Sequence, residues 1–355
     1  MVTSRDVARL AGVSQSTVSY AMSGRRSVSV GTRKRIDAAI AQLSYQPNAG
    51  ARALASRRTQ VIALVVSFGS GANTAGLLPF IEQLTLCARE QDHDVLLVTA
   101  DEGAQGLTRL AARSLCDAIV LLDVESRDAR IPVAEGLRVP VILIGIPERV
   151  TPLHCVDLDF ELAGRMAVDE LAATGHERVV LIGHPREVLA RDINFVRRFQ
   201  RGAAASAAGH GIAYDVVEPT GHGRAGARDA VDSVWDGGRG RRKGAGRVGF
   251  VVANSSLVQP VLQALLDRGL EPGRDLSVVA LCTDAAAEAS HPAVTNVSLE
   301  PQDVSRRAMQ TLFRLLDQDR RDNDLPHHLP YERTELVTPR LTRRRTVVSH
   351  PAPPS

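Results

Sequence analysis

A chain of 355 residues, 44% hydrophobic and 23% charged, is long enough to bury more than one core. No run approaches the ~18 apolar residues of a membrane span and the N-terminus lacks a signal peptide's apolar stretch, so no membrane partner and a cytoplasmic location are expected. The formal net charge is only +3, but residues 1–60 hold ten Lys/Arg against two acids, which makes that segment +8 and leaves −5 on the rest.

The first segment reads as a short helix, a glycine turn and a second short helix over Arg5–Met22. Ala8, Gly12 and Val18 are spaced as a helix-turn-helix requires. A small residue lets the helices approach, a glycine takes the turn backbone, and a branched residue pins the second helix onto the first. Gln15, Ser16 and Tyr20 then fall on the outer side of the second helix. A strongly basic head on a slightly acidic body is what phosphate neutralisation needs, so double-stranded DNA is the expected partner. A third helix follows the polar turn Ser23–Ser27, since Ile36, Ala39, Ile40 and Leu43 form one apolar stripe, with Ser29 or Thr32 as its cap. Pro47 stops it, Asn48 is a good N-cap, and an alanine-rich run of about two turns follows to Ala55.

Beyond residue 58 the pattern changes. Apolar β-rich runs recur at 61–66, 95–98, 118–122, 139–144, 179–182, 248–252 and 276–281, with helical stretches at 77–91, 162–173, 197–208 and 257–268. Continuous apolar strands alternating with helices predict buried parallel sheets in two lobes, with ligands bound beyond the carboxyl ends of the strands. The Gly/Arg-rich stretch Gly221–Gly246, between a helix around Ala230 and the strand at Val248, reads as a mobile surface loop. The basic and Pro-rich residues 341–355 read as a disordered tail without the heptads of a coiled coil.

No catalytic motif appears. There is no Walker loop, Gly-x-Ser-x-Gly elbow or His-Glu-x-x-His, and Gly69-Ser-Gly71 lacks the later glycine and lysine of a phosphate loop. Cys87, Cys116, Cys155 and Cys282 are far apart, and neither His154-Cys155 nor His327-His328 has ligand spacing. The expectation is a non-enzyme with no catalytic residue, metal or cofactor, its cysteines reduced.

Asp-Val-Ala-Arg-Leu-Ala-Gly-Val-Ser-x-Ser-Thr-Val-Ser (6–19), Tyr-Gln-Pro-Asn (45–48) and Ala-Arg-Ala-Leu (51–54) resemble the LacI-type repressors, the lactose and galactose repressor family, and the resemblance runs to about residue 340. It implies an all-α helix-turn-helix headpiece (1–46), a hinge helix (47–58) and a two-lobe α/β core like periplasmic binding proteins (59–340). The first lobe would be about 59–157 and 285–318, the second about 158–284 and 319–340. Crossovers are expected near Asp157–Glu161 and Asp284–Val297. By position, Gln15, Ser16 and Tyr20 would read base edges, and Thr17 and Ser19 would grip phosphates. Leu54 would be the hinge leucine wedged into the minor groove, and Ser14, Ser23, Arg25, Asn48 and Arg52 complete the DNA-facing set. Tyr20 replaces the arginine of well-known members, and Gly50 weakens the hinge helix by about 1 kcal/mol. The implied function is a homodimeric regulator, by the family's usual sign a repressor, on a palindromic operator, tuned by a small-molecule effector in the inter-lobe cleft. A non-enzymatic sensor of periplasmic-binding type without specific DNA recognition is the alternative.

The cleft departs from the family. Asn254 matches the asparagine that bonds ligand hydroxyls, and Asp157 reads as more structural than ligand-binding. Cys282-Thr283 stands where an Asp pair is usual, with Asp284 one place late, and Gly145 replaces a frequent aspartate. Leu299 replaces a glutamine, and the expected arginine survives only as Arg197-Arg198, out of register. Effector contacts are therefore expected among Ser67, Phe68, Arg197, Arg198, Asn254 and Asp284. So many lost polar partners make a simple sugar a poor ligand, and the effector is expected to be different or absent.

Overall fold

A computed structural model describes residues 2–23, 28–45, 58–68, 74–236, 247–319 and 333–350. The chain divides into two compact units, Met1–Gln60 and Val61–Ser355.

In the first unit α1 spans Ser4–Ala11, α2 Gln15–Ser23 and α3 Val30–Leu43. The Thr3 amide and hydroxyl both donate to the Asp6 carboxylate (2.9 and 2.7 Å), which holds that carboxyl below its ordinary range and fixes the start of α1. At its other end Gly12 takes φ +64°, and the Val13 N–H closes the turn on the Ala8 carbonyl at 3.0 Å. Ser14 caps α2 by accepting from the Thr17 N–H (3.1 Å), and Ser29 caps α3 by accepting from the Thr32 N–H (3.2 Å). Val7, Ala8, Val18, Ala21, Ile36 and Ala39 form the small core, so Ala8 and Val18 do the packing their spacing predicts.

The second unit holds two six-stranded sheets. In chain order its elements are β1 (Val61–Val66), α4 (Thr74–Glu90), β2 (Asp94–Thr99), α5 (Gly103–Ala112), β3 (Ala118–Leu121), α6 (Ile131–Glu135), β4 (Val141–Ile144) and β5 (His154–Leu158). Then come α7 (Phe160–Ala173), β6 (Arg178–Ile182), α8 (Arg186–Ala190), α9 (Asn194–His210), β7 (Ala213–Val217), α10 (Gly223–Asp236), β8 (Val248–Val252), α11 (Val258–Asp267) and β9 (Ser277–Leu281). The last are α12 (Asp284–Ala289), β10 (Thr295–Val297), α13 (Pro301–Asp319), β11 (Thr334–Val337) and β12 (Leu341–Thr342). The first sheet is ordered β11-β5-β4-β3-β1-β2, the second β12-β10-β9-β8-β6-β7. Among the named strands of the described residues the β10–β12 pairing is antiparallel and the others are parallel; helices cover the faces, and the central strands are buried almost throughout, as their unbroken apolar runs predict.

Three predicted boundaries change. β10 pairs with β9 in the second sheet, so residues 285–297 lie with the second lobe, not the first, and the chain returns at 298–300 rather than earlier. β11 pairs with β5 in the first sheet, so 334–337 lie there, and a third crossing follows at 338–340. Strands of three and four residues carry too short a pattern to assign to a sheet from sequence.

The predicted disordered tail is also partly corrected. β12 lies on β10, the Thr346 hydroxyl donates to the Val278 carbonyl (2.7 Å) and the Arg343 guanidinium meets the Glu170 carboxylate at 2.7 Å, so 341–350 belong to the second sheet's edge. The Gly/Arg-rich stretch is half helix: α10 buries Ala227, Ala230, Val231 and Val234, and 237–246 lie outside the described residues, as do 351–355.

α7 crosses α9 at close range. A Cβ on Gly202 would stand 1.9 Å from the Glu161 carbonyl oxygen, and one on Gly164 2.1 Å from that of Phe199. Glycine at both points lets the two backbones touch, and this seats Phe160, Phe195 and Arg198 at the inner end of the pair.

Candidate nucleic-acid interface and inter-lobe cleft

Val18 and Ala21 bury one side of α2, and the 3.6-residue period then turns Gln15, Ser16, Ser19 and Tyr20 to the other. Tyr20 is 38% exposed. Gln15 is oriented by α1: its carboxamide oxygen accepts from Arg5 Nε (3.3 Å) and its nitrogen donates to Ser4 Oγ (2.9 Å). The Ser14 hydroxyl is committed to its cap and to the hydroxyls of Ser16 (2.8 Å) and Thr17 (2.7 Å), while Ser23 closes α2. Arg9 and Arg33 are loosely offset by Asp6 (3.3 Å) and Asp37 (3.9 Å), so the three-helix unit keeps its excess of exposed positive charge. Arg25, Asn48, Gly50, Arg52 and Leu54, with the hinge helix, lie outside the described residues.

In the second unit a cavity of about 90 Å³ lies between the sheets, at the carboxyl ends of the strands. Leu77 and Phe80 of α4, Leu122 and Val124 beyond β3, and Ile144 and Ile146 around the end of β4 form the first-lobe wall. Phe160, Phe195, Ala253 and Leu281 form the second, with Leu299 on the crossover. Gly145, between them, has φ +127°, and a Cβ there would meet Val124 Cβ at 2.9 Å; no aspartate fits at that position without displacement.

The polar groups at this cavity are already paired. Asp157 is buried, with Arg198 Nη1 at 2.5 Å and the Leu158 N–H donating to its other oxygen at 3.0 Å. Burial pushes the Asp157 carboxyl up to about 6, against the pull of Arg198. Asp123 is held by Arg191 Nη1 at 2.6 Å. That arginine, just past α8, also donates to Ser67 Oγ (3.0 Å) and lies 3.5 Å from Glu125. The Ser126 N–H donates to the Asp192 carbonyl (2.8 Å) and Asn194 Nδ2 to the Ile146 carbonyl (2.8 Å). Residues 191–194 of the second lobe thus clasp the loops beyond β3 and β4 of the first.

The expected effector contacts scatter. Arg198 is spent on Asp157 and the Leu158 carbonyl (3.0 Å), and Arg197 is an exposed partner of Asp192 (2.5 Å). Asp284 starts α12 away from the cavity, accepting from Asn296 Nδ2 (3.1 Å), with Arg344 at 3.4 Å and Arg340 at 3.7 Å. Ser67 and Phe68 line a different, more polar cavity of about 260 Å³ with Glu125, Asp128, Arg130 and Arg191. Asn254 is fully buried between two cleft residues; its Oδ1 accepts from Ser256 N (3.1 Å) and Oγ (2.8 Å), and its Nδ2 finds no acceptor among the described residues. Sequence reasoning missed Phe80, Phe160, Phe195 and Arg191. The strand-end rule pointed to Phe160, two residues past β5; nothing local marked the others.

A helix-turn-helix unit followed by two parallel sheets with a cavity at their carboxyl ends defines a class: DNA-binding regulators with a core of the periplasmic-binding-protein fold. Residues 3–48 match the model of bacterial regulatory proteins of the lacI family, and residues 168–347 that of the periplasmic binding protein-like domain. The HTH-type transcriptional regulator CelR of Thermobifida fusca is 30% identical over 324 residues, 86% of this chain and 89% of that protein. Catabolite control protein A of Priestia megaterium is 25% identical over 339 residues, 94% and 99% of the two chains. The Lac repressor dimer bound to operator and the anti-inducer ONPF superposes with a TM-score of 0.77 at 20% identity, over 98% of this chain and 99% of that one. The chain belongs to the LacI family of transcriptional regulators.

No described helix is long and apolar enough to cross a membrane, and no group of three or more potential metal ligands occurs among the described residues.

Proposed function

We propose that this regulator is a cytoplasmic repressor that binds a palindromic operator as a homodimer and is tuned by a small molecule in the inter-lobe cleft. The observation that carries this reading is the outward face of α2, with Gln15, Ser16, Ser19 and Tyr20 on a basic three-helix unit. Gln15, Ser16 and Tyr20 read base edges in the major groove; Ser14, Thr17, Ser19, Ser23 and Arg25 hold phosphates. Asn48, Arg52 and Leu54 act at the hinge, the leucine as a wedge that unstacks the central base step. Two-fold symmetry of the protein demands two-fold symmetry of the site. The relative crystallised on its operator is a dimer, and exposed Leu78 (59%), Leu86 (48%) and Leu97 (47%) offer first-lobe apolar surface for pairing.

Selection of bound genomic fragments followed by footprinting tests the reading. A protected palindrome is expected, and Gln15→Ala should weaken it by about 1–3 kcal/mol with little change on random DNA. Binding that is salt-sensitive but blind to sequence would instead make the chain a sensor with a basic head.

A further inference from the structure

We propose that the inter-lobe cleft takes a neutral, single-ring aromatic molecule and rejects sugars; this rests on the reading of the cleft as the effector site. The chain is only 3% aromatic, with seven phenylalanines, yet three of them, Phe80, Phe160 and Phe195, line this one cavity. Phe160 and Phe195 come from the second lobe with ring centroids 4.8 Å apart and planes tilted by 33°, and Phe80 comes from the first. A flat ring set against the Phe160–Phe195 pair makes the offset and edge contacts that aromatic groups favour, in a cavity lined by both lobes.

The polar inventory excludes a sugar. Among the described lining residues only Asp123, Asp157 and Ser255 carry polar side chains, and both carboxylates are engaged by arginines. A pyranose would bury several hydroxyls against leucine, isoleucine and phenylalanine, and each unpaired one is penalised. Gly145 brings no side chain to the wall, where a Cβ would press on Val124 at 2.9 Å, and Leu299 presents an aliphatic one.

Charge and size narrow the ligand further. Two carboxylates meet two guanidiniums, so the wall is balanced, and a charged ligand would be buried without a counterion. A cavity of about 90 Å³ is smaller than the ~150 Å³ apolar cavity that holds benzene, so a single ring is the largest occupant it takes without the lobes parting.

The test is isothermal titration of the full-length protein with benzyl alcohol and acetophenone, against benzoate, benzylamine, D-glucose, D-galactose and cellobiose. The neutral aromatics are expected to bind at least tenfold tighter than every other probe. Phe195→Leu, which keeps the wall apolar, should weaken them about tenfold with only a modest fall in the urea midpoint, and Phe80→Leu should do the same from the other lobe. Tighter binding of a sugar, or of benzoate, overturns the ligand class while leaving the cleft as effector site. Equal binding of the aromatics by wild type and both variants overturns the assignment to this cavity. If no probe binds although the operator is protected in footprinting, the effector reading of the cleft falls, and the ligand proposal with it.

Discussion

The α7–α9 crossing gives a sharp prediction, because the same substitution on one helix should have opposite outcomes at two positions. In Gly202→Ala the new Cβ would lie 1.9 Å from the Glu161 carbonyl oxygen, 2.7 Å from its carbon and 3.0 Å from its Cα. Ordinary contact begins at 3.4 Å, so the helices must part by about 1.5 Å, the difference between 3.4 and 1.9. Both walls are backbone, and no side chain can rotate away. Overpacking of this kind costs about 1–3 kcal/mol, and the absence of any soft neighbour puts Gly202→Ala near 3 kcal/mol. On the same helix, Gly209 has nothing within 4 Å of its virtual Cβ. Gly209→Ala should therefore leave stability unchanged or raise it by up to about 1 kcal/mol through helix propensity. Urea unfolding followed by far-UV circular dichroism compares them, with the m-value checked for constancy. Coincident midpoints for the two variants would refute the close crossing. Because Phe160 adjoins Glu161 and Phe195 and Arg198 precede Gly202, the Gly202→Ala cleft should also bind its probes more weakly.

Other outcomes follow from the same geometry. Gly12 sits at φ +64° with open space around it, so Gly12→Ala should cost the headpiece about 1–2 kcal/mol from backbone strain alone, read as a lower thermal midpoint, and Gly12→Asn less. Burial pulls His184 down to about 4, below its unfolded 6.5, so it is neutral when folded; its contribution is present above pH 6.5 and lost as pH falls toward 4, a loss of about 3 kcal/mol. His184→Phe, which keeps a ring 5.8 Å from that of Phe195, should flatten this acid loss in urea titrations. Asp157 works in the opposite sense: burial raises it to about 6, so acidification through that range stabilises, and Asp157→Asn should steepen the acid loss. Arg198→Met leaves Asp157 buried without its cation and should cost about 3–5 kcal/mol at pH 7, most of it recovered by adding Asp157→Asn. Arg191→Ala removes the clasp on Asp123, Glu125 and Ser67 and should increase the radius of gyration measured by small-angle scattering; an unchanged radius would show that 192–194 suffice.

Local chemistry was sufficient where local chemistry decides. The headpiece could be read from Ala8, Gly12, Val18 and the Ile36 stripe because its helices meet within forty-odd residues and each contact is set by one short spacing. The long strands were legible for the same reason: burial on both faces leaves unbroken runs such as 61–66. The short strands β10, β11 and β12 were not, since their sheet is chosen by partners far along the chain. Residues 341–350 look like a solvated basic tail until Glu170 and Val278 supply the partners that hold them. Arg197 and Arg198 are neighbours in sequence, yet the ~100° between successive helix residues sends one to solvent and the other under the cleft onto Asp157.

By itself, the amino-acid sequence determined that this is a LacI-family regulator with a basic helix-turn-helix head on an α/β core, and it set the expectation of an unusual cleft. Charge partition, periodicity and turn residues are properties of short stretches, so composition and spacing suffice to read them. Only the tertiary structure decided what lines that cleft. The wall of the cleft is assembled from strand and helix ends between Leu77 and Leu299, and its two acids are neutralised by Arg191 and Arg198. Pairing and burial belong to the three-dimensional neighbourhood of a side chain, and no spacing along the chain carries them.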